Sequence, residues 1–192
     1  MPCWSWHSVA AEVTPPTPGP LQLRLPFVAV QLRASGRRRR PSDRIRAASC
    51  ADTTGDGGPA DITKVELAED GAGLRAAFTL AAPLSTSTCT AQLSLLVSSQ
   101  DGNTAKQLGA KWIGGTVRVF VFDSGTAHNE YVDLPPTVRR STVTMVFPSS
   151  ATEDLGPTWR WGATTSVDGT DVDTCPEPGD DVLNPHQQTF PG

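Results

Sequence analysis

Between residues 62 and 167, apolar side chains recur at every second position in short runs separated by Gly, Pro, Asp and Ser. A period of two puts alternate side chains on opposite faces of a strand, so each run predicts a β-strand with one buried face. Residues 62–68 form the first run, followed by Glu69-Asp70-Gly71-Ala72-Gly73, a hairpin-type turn. In 74–80, Leu74, Ala76, Phe78 and Leu80 alternate with Arg75, Ala77 and Thr79. Residues 90–98 place Ala91, Leu93, Leu95 and Val97 on one face, and 106–113 and 116–123 follow, joined by Gly114-Gly115. A short strand is predicted at 130–134, closed by Pro135-Pro136, and 142–147 aligns Val143, Met145 and Phe147. Residues 148–155 read as one helical turn with acids near its start, where the helix dipole favours them. In the last run, 158–167, Trp159, Trp161, Ala163, Thr165 and Val167 share a face.

About eight short strands with turn chemistry between them, and no amphipathic helix of ten or more residues, predict an all-β fold. The expected architecture is an antiparallel β-sandwich, jelly-roll or immunoglobulin-like, over residues 49–182, with a tail at 183–192. The lack of helices argues against a parallel βαβ fold. No run of ~18 apolar residues occurs, so no membrane-spanning helix is expected.

Charge adds a second object to the picture. The net charge of -4 divides into +6 for residues 1–48, with eight arginines and two acids, and -10 for 49–192. Seven of the 17 prolines fall in the first 48 residues, which are read as a disordered basic leader because such density fixes φ and removes donors. Arg37–Arg40 could serve nucleic acid or localisation, but no aromatic or glycine pattern accompanies them, and no nucleic-acid partner is expected. The arginines follow the apolar stretch 21–32 instead of preceding it, so a signal peptide is not recognisable as written. A start of translation downstream of this leader is a further reading, which peptides from residues 1–40 in a mass spectrum would overturn.

The order of the remaining pieces carries a resemblance. Asp52-Thr53-Thr54-Gly55-Asp56 leads into Pro59-Ala60-Asp61-Ile62-Thr63-Lys64-Val65. Glu69-Asp70-Gly71 precedes an alternating strand, and Val146-Phe147-Pro148-Ser149-Ser150 precedes Trp159-Arg160-Trp161. Over roughly residues 50–180 this arrangement resembles secreted bacterial β-sandwich domains related to family 9 carbohydrate-binding modules and DOMON domains. The resemblance implies a sandwich, often non-catalytic, that binds sugar, calcium or haem in some members.

Candidate chemistry gathers at the two ends of the domain. Calcium takes six to eight hard oxygens, and the loop holding Asp52, Asp56 and Asp61 offers them with glycines that permit tight turns. The loop is similar to the calcium loops of dockerins and FG-GAP repeats, but its third position is Thr and its last Asp comes one residue late. A second acidic run, with Asp168, Asp171, Asp173, Glu177, Asp180 and Asp181, completes such a site if the domain's ends meet; Asp171 and Asp173 are its chosen ligands. The alternative is a turn whose aspartates cap their own backbone, followed by a solvated acidic tail.

Of the four cysteines, Cys3 lies in the leader and Cys50, Cys89 and Cys175 in the domain, with no CxxC spacing to suggest zinc. An exported domain favours a disulfide among the last three, and either Cys89–Cys175 or Cys50–Cys175 would tie an end of the sandwich. Trp159 and Trp161 are assigned to the core, whereas Trp112, close to Gly114-Gly115, and Tyr131 are read as the exposed aromatics for stacking on sugar. Catalysis finds little footing: there is no G-x-S-x-G elbow, and the domain histidines are only His128 and His186. Haem ligation of the kind the DOMON resemblance implies would need a Met and a His, here His128 with Met145, and Met145 reads as core. The expectation is a non-catalytic secreted or cell-surface module with structural calcium. Its alternative is a carbohydrate-binding module directed at polysaccharide or other cell-surface components.

Overall fold

The period-two runs are realised as paired strands in a computed structural model that describes residues 45–69, 72–84, 90–177 and 187–192. The strands are β1 (Arg46–Ala51), β2 (Ile62–Glu69), β3 (Gly73–Leu80), β4 (Thr90–Ser99), β5 (Ala105–Ile113), β6 (Thr116–Asp123), β7 (His128–Val132), β8 (Thr137–Arg139), β9 (Thr142–Pro148), β10 (Trp159–Val167), β11 (Thr170–Cys175) and β12 (Gln188–Phe190). One sheet has the order β1-β2-β3-β9-β8. The other runs β11-β10-β4-β5-β6-β7, with β12 paired to β10 beside β11. Every pairing among the described residues is antiparallel.

The inner faces are the ones the alternation singles out. Leu74, Ala76 and Phe78 on β3, with Val143, Met145 and Phe147 on β9, are buried against the second sheet. That sheet contributes Leu93, Leu95, Leu108, Val119, Trp159 and Trp161, all fully buried. The two tryptophans therefore belong to the core, as their place on one face of a strand predicts. The expected all-β antiparallel sandwich is the observed fold.

Several boundaries differ from the sequence reading. β1 begins at Arg46, inside the stretch assigned to the leader. Arg46 binds Glu69 at 2.5 Å, donates to the Pro157 carbonyl and lies 5.1 Å from the centre of the Phe190 ring. Residues 183–192 are not simply a tail, because β12 pairs with Trp159–Trp161 and buries Phe190. The Phe190 ring stacks on Trp159 at 4.4 Å. Three residues between a glutamine and a proline are too few for alternation to register as a strand. The helical turn expected at 148–155 is two 3-10 turns, Ser149–Ala151 and Glu153–Leu155, that tuck Ala151 and Leu155 under the core.

Cys50 and Cys175 form a disulfide with Cα atoms 6.1 Å apart and 125 residues of separation. It joins β1 of one sheet to β11 of the other, so it closes the sandwich at the corner where the domain begins and ends. This is one of the two pairings the sequence left open; Cys3 and Cys89 lie outside the described residues. No helix among the described residues is long and apolar enough to cross a membrane.

Candidate functional site

Both partners of the disulfide lie two residues from acids. Asp52 follows Cys50 by two, and Asp173 and Glu177 flank Cys175 at the same distance. The strand ends that the disulfide joins therefore bring the N-terminal acidic loop onto the C-terminal acidic run. Carboxylate oxygens of Asp52, Asp56 and Glu177 lie within 4.8 Å of one another, as do those of Asp56, Asp61 and Asp173. Asp56 belongs to both groups, so five carboxylates surround one small volume.

Local structure fixes the inner members of this group. The 3-10 turn Gly58–Ala60 is held on β10 by a hydrogen bond from Thr165 Oγ1 to the Ala60 carbonyl at 2.8 Å. Asp173 accepts the amides of Ile62 and Thr174, at 2.5 and 2.8 Å. Asp61 accepts the Gly55 amide at 2.6 Å through Oδ2. Gly57 packs so closely on Asp173 that a Cβ there would overlap the carboxylate. The glycine is what lets the acid approach the loop.

What these bonds leave over is more telling than what they satisfy. Asp61 is 5% exposed, and its Oδ1 is buried without a hydrogen-bond partner; Asp52 Oδ2 is in the same condition. Buried polar atoms are ordinarily paired, because leaving one unmade costs about 1–3 kcal/mol, and more when the group is charged. The ion pairs among the described residues, Arg46–Glu69, Lys64–Glu66 and Lys106–Asp154, do not reach this corner.

Proton affinities register the same deficit of positive charge. Burial pushes the Asp52 carboxyl up to about 7, against the Thr53 amide that lowers it, and Asp173, Glu177 and Asp56 add repulsion. Asp173 is also raised, chiefly by burial, with its two amide bonds opposing and Asp56 and Asp61 adding charge. Glu177 is raised first by its hydrogen bond to Asp56, then by desolvation and the charge of Asp56.

Of the five acids singled out in the sequence as metal ligands, Asp52, Asp56, Asp61 and Asp173 converge and Asp171 does not. Asp171 and Asp173 would share a face in a regular strand. A bulge opposite Thr165 and Ser166 breaks the alternation, pairing Asp173 with inward Thr165 but Asp171 with Ser166. Asp171 is exposed on the far side, and Glu177 takes the place expected for it. Asp180 and Asp181 lie outside the described residues.

The aromatic pair meets a different outcome. Trp112 pairs with Val117 and shares the inner face of β5 with Leu108 and Ala110, where it is half-buried against the core. Tyr131 pairs with Phe120 and points outward, 54% exposed. The two rings stand on opposite faces of one sheet and form no common platform. His128 is exposed on β7 while Met145 is buried in the other sheet, so they make no shared ligand set.

Tyr131 belongs instead to a shallow groove of about 300 Å3 on the outer face, which alternation alone did not bring to notice. Phe120 and Phe122 floor it, and Gln92, Gln107, Lys111 and Asn129 rim it. A signal for it does exist in the sequence. In Thr116–Asp123 the valines take one face while Arg118, Phe120 and Phe122 take the other, so the outward face is apolar too. Comparison with protein families, with characterised proteins and with solved structures finds no match for this chain.

Proposed function

We propose that this protein is an exported, non-catalytic β-sandwich module, the two ends of whose sandwich domain are closed by a structural calcium ion beside the Cys50–Cys175 disulfide. The observation that carries the reading is the pair of buried, unpartnered carboxylate oxygens, Asp61 Oδ1 and Asp52 Oδ2, within a group of five acids. A divalent cation supplies the charge and the bonds these atoms lack. The donors are all oxygen, with no imidazole or thiolate in either group, which suits calcium over zinc or copper. Asp56, common to both groups, would sit between the buried pair Asp61 and Asp173 and the outer pair Asp52 and Glu177.

A structural role accords with how these acids are held. Asp61 and Asp173 are 5% and 8% exposed and tied to backbone amides, which favours an ion over a substrate. Export accords with the disulfide, a bond that persists in oxidising compartments and is rare in reducing ones. The sandwich is also the fold implied by the resemblance to family 9 carbohydrate-binding modules and DOMON domains, and that kinship is part of the proposal.

Thermal unfolding with added calcium, with magnesium and after chelation tests the site. A ligand that binds only the folded form adds about 2.7 kcal/mol at a hundredfold excess over its Kd, worth roughly 5–10 °C for a domain this size. Calcium should raise Tm and Asp61→Asn should abolish the increase. The variant also separates the readings by sign. Without a cation, neutralising one of five clustered carboxylates relieves repulsion and raises Tm, whereas at a calcium site it lowers Tm in calcium. A Tm indifferent to calcium and chelator, together with a stabilised Asp61→Asn, overturns the proposal.

A further inference from the structure

We propose that the outer face of the seven-stranded sheet, from β4 to β7, is a binding site for an acidic saccharide, a chain of pyranose rings bearing carboxylates. The inference is independent of the cation at the acidic corner, which lies at the opposite edge of the same sheet.

Three kinds of group meet in this groove. Aromatic surface comes from Phe120, Phe122 and Tyr131; the Phe120 ring lies over Gly109, where a Cβ would stand 3.0 Å from it. Such rings pack against the C–H faces of sugars. Carboxamides come from Gln92 and Gln107, whose Nε2 atoms both donate to Ser94 Oγ, at 3.0 and 3.1 Å. Ser94 is fully buried, so the two amides are clamped side by side on one hydroxyl. Each keeps one N–H and its carbonyl oxygen for a ligand, the donor and acceptor pair that a sugar hydroxyl needs.

The third kind is positive charge. Lys111 rims the groove, and the Arg118 guanidinium lies 5.0 Å from the centre of the Tyr131 ring, a cation–π contact that holds it beside the aromatic floor. Neither has a carboxylate partner among the described residues. The register places Gln92, Ser94, Leu96 and Ser98 outward on β4; Gln107, Gly109, Lys111 and Ile113 on β5; Thr116, Arg118, Phe120 and Phe122 on β6; and Asn129 and Tyr131 on β7. No acid stands among them, in a segment (49–192) whose net charge is -10. A neutral sugar would use the rings and amides but not the cations. An acidic peptide would use the cations but not the stacked floor. A saccharide with carboxylates uses all three.

Calorimetric titration of the full chain with trigalacturonate, maltotriose and hexaglutamate separates these occupants. Trigalacturonate should bind and weaken with salt, maltotriose should bind about tenfold more weakly or less, and hexaglutamate should not bind. Lys111→Ala and Tyr131→Ala should each weaken trigalacturonate about tenfold or more, with the circular dichroism unchanged and Tm lowered by no more than about 4 °C. Because uronates bind calcium themselves, the titration is repeated with chelator, and the affinity should stay the same. No binding, equal binding of maltotriose or hexaglutamate, indifference to both substitutions, or binding only with calcium would each overturn the proposal.

Discussion

The two edges of the seven-stranded sheet are built from the same alternation and put to opposite ends. At the β10–β11–β12 edge the two ends of the domain meet, Asp173 turns inward, and aromatic rings vanish into the core. Phe190 lies on Trp159, Asp173 caps Ile62, and a disulfide spans the two sheets. At the β6–β7 edge the acids turn away from the outer face, rings turn outward, and no disulfide among the described residues reaches it; Tyr131 is 54% exposed there. The contrast teaches which groups answer to folding and which are free to answer to a partner. Breaking the first edge should be felt throughout the molecule, and breaking the second only by whatever docks on it.

The largest effect should come from Phe190. It is fully buried, stacked on Trp159 and covered by Arg46, so Phe190→Ala empties a site with little means to collapse. A loss of about 3–5 kcal/mol in chemical denaturation is expected. Removing residues 187–192 should cost at least as much. A cost below about 1 kcal/mol would mean that β12 merely rests on the domain. Next comes the disulfide. Replacing Cys50 and Cys175 together by Ser should lower stability by about 2–4 kcal/mol, since the bond closes a long loop in the unfolded chain.

These two predictions also mark where the sequence was legible and where it was not. The central strands were readable because each spans three or four repeats of a period of two, as in Leu74, Ala76, Phe78 and Leu80. β12 has room for one inward residue, so Phe190 looks like any aromatic between polar neighbours. The acidic corner was half legible: composition brought the acids to the domain's ends, and a fold whose ends meet did the rest. Asp171 was misplaced because a bulge reverses alternation, and a bulge leaves no mark in a run such as Thr-Asp-Val-Asp-Thr. The glycines near Trp112 suggest an exposed ring, while its parity with Leu108 and Ala110 turns it inward.

A smaller effect should separate the charge at the corner from its packing. In metal-stripped protein, Asp52 titrates at about 7 when folded and near the ordinary ~3.9 when unfolded. Between those values the folded state holds the extra proton, so stability is fully present below about 4 and is lost as pH rises through about 7. Asp173 and Glu177 are shifted in the same direction and steepen the slope. Calcium binds the deprotonated form, so its stabilising increment should grow over this window. Tm against pH, with and without calcium, should give diverging curves. Asp52→Asn should flatten the metal-free one, and parallel curves would break the link between these protons and a cation.

Substitutions on the outer face should cost the least stability. Tyr131→Ala removes an exposed ring that the Arg118 guanidinium packs against, and Lys111→Ala removes an exposed cation at the rim of the same groove. Exposed cation–π contacts contribute roughly 0.5–1 kcal/mol. Denaturation of either variant should therefore stay within about 1 kcal/mol of the parent, and the double variant should be close to additive because Lys111 takes no part in the Arg118–Tyr131 contact. A much larger loss would mean that the outer face is a second core, with Phe120 and Phe122 relying on Tyr131 as cover. A small loss leaves these side chains without a structural reason for their placement. That freedom is what the proposed saccharide site requires of Tyr131 and Lys111, beside Phe120, Phe122, the two clamped carboxamides and Arg118.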